Sequence, residues 1–378
     1  MLRALIGLAL GLLLLASVGG PADGQAVRHL RIGASGALLL HTAVVEAGRA
    51  RGFGRLVEGL GPVIRPDEIA FANLETPLSE ARVPMRGDPP RLGAPPEVAA
   101  ALGAIGLDVL SVANNHAWDQ RAEGMVATLA ALRGAGIAPV GAAADPAEAP
   151  GPVVVEAGGL RVAFVAFTEI LQGSPGTRRP PVRIAEWDPR LARRALGAAR
   201  ERADVVVASI HWGLAYRSAP RRSQRERAED LVRLGADVIL GHGPHVLQPV
   251  ERLVSPRGEA VVAYSLGNLI SNQGYLFRPR RRVRAERPLR DPATRDGAWL
   301  RALLAVEPSG AVRVEAVRAV PLWTANNWYD TQRGPRAERP APDIRVHPLT
   351  DLADPDLRAR RARAIRDTLG PSVTVLGP

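Results

Sequence analysis

Short apolar runs rich in β-branched residues alternate with helix-like stretches along most of the chain. The runs predicted to form strands are Leu30–Ile32, Leu38–Leu40, Glu68–Ala72, Val109–Ala113, Val153–Val155, Val162–Phe167, Val205–Ile210, Val238–Leu240 and Ala260–Tyr264. The predicted helices between them are Pro96–Ile105, Ala122–Ala135, Pro189–Arg202 and Gln224–Leu234. Strands separated by helices of this length favour an α/β protein whose sheet is covered on both faces. Two later runs, Trp299–Val306 and Val312–Val320, flank Pro308-Ser309-Gly310 and predict a β-hairpin.

Polar side chains follow five of these runs at the point where each run ends. They are Asn73 with Glu75, then Asn114, Asn115 and His116 with Asp119, then His211 with Trp212, then His242 with His245, and finally Asn268. In open α/β sheets the carboxyl ends of the strands share one edge, where ligands bind, so we expect these side chains to meet in one site. His41 follows Leu38–Leu40 and either borders this site or lies on the surface.

The donor types in this set indicate a metal. Imidazole, carboxylate and amide oxygen together suit divalent Mn, Fe or Zn, and we expect one or two ions. A metal ion would lower the pKa of a bound water towards ~7, so that metal-bound hydroxide is available for hydrolysis at neutral pH. The chain has no cysteine, which excludes Cys-ligated zinc, thiolate catalysis and disulfides.

The net charge of +11 comes from arginine alone, because none of the 49 basic residues is lysine. A chain without lysine indicates coding bias rather than selection for phosphate contacts, and we expect no nucleic-acid partner. Seven arginines and one acid, Glu286, lie between Arg278 and Arg290. This segment is either a solvated insertion or a surface that binds an anionic polymer or a membrane.

The first residues are typical of a targeting segment. Arg3 precedes an apolar run from Ala4 to Val18, and small residues with Pro21 follow. This pattern predicts a signal peptide or an N-terminal anchor over residues 1–26. We therefore expect the folded part to be exported: periplasmic, secreted, or on the outer face of the cytoplasmic membrane.

Five motifs in order and spacing, over about residues 31–272, resemble the CapA family of capsule and poly-γ-glutamate synthesis proteins. The motifs are Asn73-Leu74-Glu75, Ala113-Asn114-Asn115-His116 with Asp119, His211-Trp212-Gly213, Gly241-His242-Gly243-Pro244-His245 with Gln248, and Tyr264-Ser265-Leu266-Gly267-Asn268. The resemblance implies a fold related to calcineurin-like metallophosphoesterases, a four-layer α/β/β/α sandwich. We expect it to occupy residues 27–330, with an Arg-rich insertion at 278–297. A Pro-rich segment and a C-terminal helix would follow in residues 331–378.

The wider metallophosphoesterase pattern also implies roles for the site residues. Glu75 resembles a bridging carboxylate and Asn115 a metal ligand, while His211, His242 and His245 resemble further ligands. His116 resembles the acid that protonates a leaving group, with Asp119 orienting it. Asn73, Asn114, Trp212 and Asn268 are candidates for substrate contact, although a tryptophan at a strand end also serves in packing.

Two positions depart from the family pattern. The first strand usually ends in Gly-Asp, but Ala37 stands at the position of the carboxylate. The usual Gly-His-His-Pro-His is Gly-His-Gly-Pro-His, so Gly243 replaces one imidazole. A single ion, weaker binding or a site without metal are all compatible with these losses.

Three functions remain open at this point. The first is an exported hydrolase of capsule or poly-γ-glutamate synthesis, acting on a phosphoester or amide-type bond beside membrane-bound synthesis partners. The second is an accessory subunit that binds the anionic polymer without catalysis. The third is a periplasmic metallophosphatase, suggested by the fold relationship alone.

Overall fold

The computed structural model describes residues 26–80, 90–279 and 286–377, so the predicted signal peptide or anchor lies outside the described residues apart from its last position. The strands are β1 (Arg28–Leu38), β2 (Ile69–Leu74), β3 (Val109–Ser111), β4 (Ala138–Val140), β5 (Ala142–Ala143), β6 (Val153–Ala157), β7 (Leu160–Thr168), β8 (Arg183–Ile184), β9 (Val205–His211), β10 (Val238–His242), β11 (Val250–Ser255), β12 (Gly258–Ala263), β13 (Asn268–Ile270), β14 (Asp296–Val306), β15 (Val312–Asn326), β16 (Ile344–Pro348) and β17 (Thr374–Val375). The α-helices are α1 (Thr42–Arg51), α2 (Gly61–Ile64), α3 (Val98–Ala104), α4 (Arg121–Gly134), α5 (Pro189–Arg202), α6 (Arg222–Arg233), α7 (Arg287–Arg290), α8 (Trp328–Thr331) and α9 (Pro355–Leu369).

Most of the strands belong to one continuous hydrogen-bonded sheet. Its order is β4-β3-β2-β1-β14-β15-β12-β10-β9-β7-β6. The strands β1 to β4 are mutually parallel, and so are β7, β9, β10 and β12. The antiparallel pair β14 and β15 joins these two parallel groups and forms the predicted hairpin. Each parallel group therefore presents the carboxyl ends of its strands at one edge.

The two parallel groups face each other across a shared core. Phe71 of β2 stacks on Phe164 of β7 with the ring centroids 5.8 Å apart, although the two strands are distant in the sheet order. Phe71 also lies 5.9 Å from the ring of His242 at the end of β10. The sheet thus folds back on itself, and this fold brings the ends of β2 and β10 close together.

Burial explains why β2 lacks the polar alternation of a surface strand. All six residues of β2 are buried. Ile69 and Phe71 point into the core between the two strand groups, whereas Ala70, Ala72 and Leu74 pack with residues of α1, α3 and α4. Neighbouring side chains of a strand point to opposite faces, so both faces of the sheet are covered here. The predicted α/β class is confirmed, and the four-layer arrangement remains an expectation from the family resemblance.

The prediction of separate strands at Leu30–Ile32 and Leu38–Leu40 is wrong, because β1 runs unbroken from Arg28 to Leu38. The segment between the two apolar runs looked like a turn because it contains Gly33, Ser35 and Gly36. Ser35 instead donates a hydrogen bond from its hydroxyl to the carbonyl of Ala298 at 2.9 Å. A β-carbon at Gly36 would collide with the carbonyl of Gly267, so this glycine permits the close approach of a neighbouring segment.

The C-terminal residues add to the same sheet. Strands β16 and β17 both pair with β15, and α9 buries Leu357 and Ile365. The predicted helix over Ala353–Thr368 is confirmed by α9. Residues 280–285 of the Arg-rich segment lie outside the described residues. Among the helices that the structure describes, none has the length and apolarity needed to cross a bilayer.

Candidate functional site

The structure brings the predicted site residues together at the carboxyl ends of the parallel strands. In the register of the sheet, Asn73 of β2 pairs with Ala37 of β1, which in turn pairs with Asn268 of β13. On the opposite strand group, His211 of β9 lies beside His242 of β10. Because the sheet folds back on itself, these two rows of strand ends border one buried site.

Glu75 is the central carboxylate of the site. It has no exposed surface, and its Oε2 accepts a hydrogen bond from Asn73 Nδ2 at 3.1 Å. His211 Nδ1 lies 3.9 Å from Oε2, and His245 Nε2 lies 3.8 Å from Oε1. Both distances exceed a hydrogen bond but fit two ligands that share an ion at about 2.0–2.2 Å from each. Burial raises the pKa of Glu75 to about 8, with Asp119 adding to the rise and His116 opposing it.

The buried polar atoms without hydrogen-bond partners concentrate at this site. Among the described residues there are seven such side-chain atoms, and five belong to predicted metal ligands. These five are Glu75 Oε1, Asn115 Oδ1, His211 Nδ1 and both ring nitrogens of His242. Buried polar atoms are ordinarily paired, since an unpaired one costs about 1–3 kcal/mol. Such a concentration of carboxylate, amide and imidazole donors fits a divalent cation.

The three histidines predicted as ligands are held in the neutral form that metal binding would require. Burial lowers the pKa of His242 to about 3 and that of His245 to about 4. Burial and the neighbouring His245 and His242 lower the pKa of His211 well below its ordinary value. His245 Nδ1 lies 3.2 Å from Asn268 Oδ1, and its donation there leaves the Nε2 lone pair facing Glu75.

The carboxylate and imidazoles do not form a complete ligand set by themselves. Within the described ranges of the chain, no three His, Asp or Glu side chains are arranged to hold a metal ion. A cation at this place would therefore have to draw these donors closer together, and the amide of Asn115 would offer it a further oxygen. Asn115 is half-buried, and its Oδ1 is one of the partnerless atoms.

His116 and Asp119 form a buried pair beside Glu75. His116 Nδ1 lies 2.6 Å from Asp119 Oδ2, which also accepts from the backbone N–H of Leu92 at 2.6 Å. Burial lowers the pKa of His116, but the hydrogen bond to Asp119 and the charges of Glu75 and Asp119 outweigh it, and the net shift is upward. In the protonated ring, Nδ1 donates to Asp119 and Nε2 carries the proton that a catalytic acid would transfer.

Three amides predicted to touch substrate instead position their neighbours. Asn114 donates to the carbonyl of Leu74 at 2.8 Å, and its Oδ1 accepts from the backbone N–H of His116. Asn268 donates to Ser271, Gln273 and the carbonyl of Thr294 while it accepts from His245. Asn73, Asn114 and Asn268 are at most 1% exposed, so the prediction of substrate contact is replaced by a positioning role.

Trp212 serves in packing, the alternative that the sequence left open. Its ring is 1% exposed and stacks on Tyr264 with the centroids 6.2 Å apart. The indole Nε1 donates to the Tyr264 carbonyl at 2.8 Å. A ring enclosed in this way offers no face to a substrate.

Tyr216 and His41 also border the site. The sequence had left the place of His41 open, and it did not single out Tyr216. Tyr216 has a positive φ of 63°, and its ring lies 5.9 Å from that of His245. Burial and the charge of Glu75 raise the pKa of Tyr216 to about 12. His41 Nδ1 accepts from the backbone N–H of Asn272 at 3.3 Å, and burial with the nearby His116 lowers its pKa to about 4. Both residues lie in irregular segments, which carry no periodic signal.

The two departures from the family pattern lie inside the site. Ala37 is completely buried between Asn73 and Asn268, with no donor for an ion. Gly243 has a φ of +111°, and a β-carbon there would collide with the carbonyl of Trp212 and lie 3.3 Å from His211 Nε2. The backbone at this position therefore requires glycine.

We expect Gly243→Ala to lower the free energy of unfolding by about 1–3 kcal/mol, because it forces a side chain into a strained and occupied position. Urea unfolding of the two proteins measures the difference. The matched control is Gly197→Ala in the middle of α5, where a β-carbon meets nothing within 4 Å. That change should stabilise the protein by about 0.5–1 kcal/mol. Equal stability of Gly243→Ala and the wild type would contradict the steric argument.

Comparison with known proteins agrees with the family resemblance. Residues 31–273 match the family model described as "Bacterial capsule synthesis protein PGA_cap". The chain is 28% identical over 242 residues to the "PGA biosynthesis protein CapA" of Bacillus subtilis (strain 168), covering 64% of this chain and 63% of that protein. It is 30% identical over 248 residues to the "Capsule biosynthesis protein CapA" of Bacillus anthracis, covering 64% and 59%. The chain therefore spans about three fifths of the length of these relatives.

Among solved structures, the NAD nucleotidase NadN of Haemophilus influenzae aligns with a TM-score of 0.48 and 11% identity, over 93% of this chain and 64% of that one. The family model, by contrast, covers well over half of the chain and includes all five strand-end motifs. The chain belongs to the bacterial capsule synthesis protein PGA_cap family.

Proposed function

We propose that this protein acts outside the cytoplasm in the synthesis of an anionic capsule polymer of the poly-γ-glutamate type, as a metal-dependent hydrolase of γ-glutamyl amide bonds. Membership of the PGA_cap family supports the polymer, since the matched relatives are named for PGA and capsule biosynthesis. The concentration of partnerless donors on Glu75, Asn115, His211 and His242 is the observation that carries the hydrolytic role.

The donors that would hold the ion are Glu75, Asn115, His211, His242 and His245. A divalent cation at this place would polarise the carbonyl of the scissile bond and lower the pKa of a water molecule bound there. Glu75 has no hydrogen-bonded cation of its own among the described residues, so a metal that displaces its proton would find the carboxylate unpaired.

The chain itself supplies the acid. Hydrolysis of an amide adds water across the C–N bond, and the departing nitrogen needs a proton. His116 holds that proton on Nε2, because Nδ1 is engaged with Asp119 Oδ2 at 2.6 Å. The backbone N–H of Leu92 donates to the same oxygen and holds Asp119 in place. The pair therefore keeps His116 both oriented and protonated.

Asp119→Asn should shift the alkaline limb of the pH–rate profile to lower pH. The acid works only while His116 is protonated, and the hydrogen bond with the charge of Asp119 raises its pKa. Removal of that charge lets burial dominate, so the pKa falls and activity is lost earlier as the pH rises. We also expect kcat to fall by about tenfold or more at neutral pH. A profile that keeps its alkaline limb would argue against His116 as the acid.

Turnover of defined γ-glutamyl oligomers tests the proposal. The metal-free protein should be inactive, and Mn, Fe or Zn should restore hydrolysis, measured as newly formed amino groups. Parallel assays with phosphomonoesters and phosphodiesters test the phosphatase alternative. Metal-dependent turnover of the phosphoesters without turnover of γ-glutamyl oligomers would overturn the choice of bond.

A second candidate is a polymer-binding accessory protein without catalysis. Ala37 favours it, because the position between Asn73 and Asn268 offers no carboxylate to a second ion. This alternative predicts that γ-glutamyl oligomers bind but are not cleaved with any of the three metals. The same assays, read together with binding measurements, distinguish the two candidates.

A further inference from the structure

An arginine-bordered cleft opens directly beside the His116–Asp119 pair. It has a volume of about 300 Å³, and its lining includes Arg91, Asp119, Arg121 and Ser174. A second cavity of about 320 Å³ shares Arg91 and Asp119, so the two form one continuous depression. We call it the Arg91–Arg121 cleft. Asp119 connects it to the site, because the same carboxylate that binds His116 forms part of the wall.

The two guanidinium groups carry charge that no described residue neutralises. Within the residues that the structure describes, neither Arg91 nor Arg121 has an ion pair or a side-chain hydrogen bond, and both are exposed. The arginines that serve structural roles differ, since Arg301 is paired with Asp67 and Arg361 with Asp296. An unpaired pair of guanidinium groups in a concave surface suits an oxyanion.

The backbone of Arg121 is strained. Its φ is +59°, a left-handed conformation that side chains other than glycine rarely adopt. In the described part of the chain only Tyr216 and His245 share this feature, and both border the candidate site. Strain of this kind persists where the surrounding structure enforces it, and it concentrates at functional sites. Arg121, Tyr216 and His245 are thus three strained positions at or beside the candidate site.

The loop around Gly176 packs against the side chain of Arg121. Gly176 lies so close that a β-carbon there would come within 2.8 Å of Arg121 Cδ. The loop is fastened at both ends, because the Ala122 N–H donates to the Pro175 carbonyl at 3.0 Å and the Gln172 N–H donates to the Asn115 carbonyl at 2.9 Å. The stem of the Arg121 side chain therefore packs against this loop, which also lines the cleft.

Arg91 is held at the cleft by its neighbour. The backbone N–H of Leu92 donates to Asp119 Oδ2, and the Leu92 carbonyl accepts from Gln120 Nε2 at 2.9 Å. The negative charge of Asp119 is compensated by His116 and by this N–H. The charged residues that line the cleft are then Arg91, Arg121 and this compensated Asp119.

We propose that Arg91 and Arg121 form a subsite for a free carboxylate of the acidic polymer, next to the bond whose nitrogen His116 protonates. Guanidinium groups bind planar carboxylates with paired hydrogen bonds, and poly-γ-glutamate carries one free carboxylate on each residue. The identity of the polymer rests on the proposed function, whereas the anion site rests on the two arginines and the cleft. Inorganic phosphate is the other source of a matching oxyanion.

Calorimetric binding of a γ-glutamyl oligomer to the full chain tests the subsite. The double variant Arg91→Gln/Arg121→Gln should bind at least about tenfold more weakly than the wild type. The control is Arg193→Gln/Arg194→Gln on the exposed face of α5, which removes the same charge and should stay within about twofold. An oligomer with amidated side carboxylates should bind the wild type as weakly as the intact oligomer binds the double variant. Equal loss in both double variants would overturn the subsite.

Further measurements distinguish a carboxylate subsite from a phosphate site and from a purely structural role of the two arginines. Direct calorimetric binding of inorganic phosphate that is lost in Arg91→Gln/Arg121→Gln, with no measurable binding of the oligomer, would overturn the carboxylate and assign the cleft to phosphate. Arg121→Gly removes the guanidinium and the backbone strain together, so it should weaken binding while Tm stays equal or rises. A fall in Tm with unchanged affinity would show a structural role and overturn the proposal. Arginine-dependent binding without hydrolysis would retain the subsite and reject the hydrolase, whereas hydrolysis with arginine-independent binding would do the reverse.

Discussion

Glu75→Gln should abolish metal binding and at the same time make the metal-free protein more stable above pH 8. The carboxylate is fully buried, and burial raises its pKa to about 8 from an ordinary value of 4.5. Below pH 4.5 the group is protonated in both the folded and the unfolded chain. Between 4.5 and 8 only the unfolded chain loses the proton, so the stability of the folded protein falls as the pH rises. Glutamine does not ionise, so the stability of Glu75→Gln does not fall with pH for this reason.

The expected gain for Glu75→Gln without metal is on the order of 2–4 kcal/mol above pH 8 and close to zero below pH 4.5. With saturating Mn or Zn the wild type should be more stable than Glu75→Gln, because only the wild type gains free energy from metal binding. Urea unfolding at pH 5 and pH 9, with chelator or with metal, measures both effects. Glu201→Gln changes an exposed carboxylate on α5 and is the control. It should show neither the gain in stability above pH 8 nor the loss of stabilisation by metal. A variant that binds metal as tightly as the wild type would exclude Glu75 as a ligand.

His116→Asn should reduce turnover of γ-glutamyl oligomers by about 10²–10⁴-fold while metal binding is retained. The reason is that His116 supplies a proton to the departing nitrogen, whereas the donors without partners belong to other residues. A substrate with an activated leaving group, such as a γ-glutamyl anilide with a nitro substituent, needs less protonation. The loss should therefore be much smaller for that substrate.

The control for this prediction is His29→Asn, a surface histidine paired with Glu315 at 3.0 Å, which should leave turnover unchanged. Metal stoichiometry and urea unfolding of His116→Asn establish that the site and the fold persist. An equal loss for both leaving groups would show that His116 does not act as the acid.

The sequence predicted the part of the site that follows from strand geometry. Glu75, His211 and His242 come at or directly after the ends of buried parallel strands, and parallel strands place their ends at one edge. The same rule could not say which side chains face the cavity. Asn73 and Asn114 are at the correct edge, but they are hydrogen-bonded beneath the ligands. Trp212 is likewise enclosed against Tyr264.

Features that depend on contacts between distant parts of the chain escaped prediction. Arg121 shows its importance only through a positive φ and a cleft, neither of which has a sequence signature in a chain so rich in arginine. The continuous strand β1 was also missed, since its central Ser35 and Gly36 resemble a turn until their neighbours are known. Composition and periodicity carry no information about such partners.

Element-specific anomalous diffraction from crystals containing Mn or Zn tests the central claim most directly. The claim is that donors from the ends of separate strands hold a divalent cation. We expect an anomalous peak within about 2.0–2.3 Å of atoms from Glu75, Asn115, His211 and His242, the atoms that otherwise lack partners. Under conditions where the metal stabilises the protein, a peak confined to other residues would contradict the account.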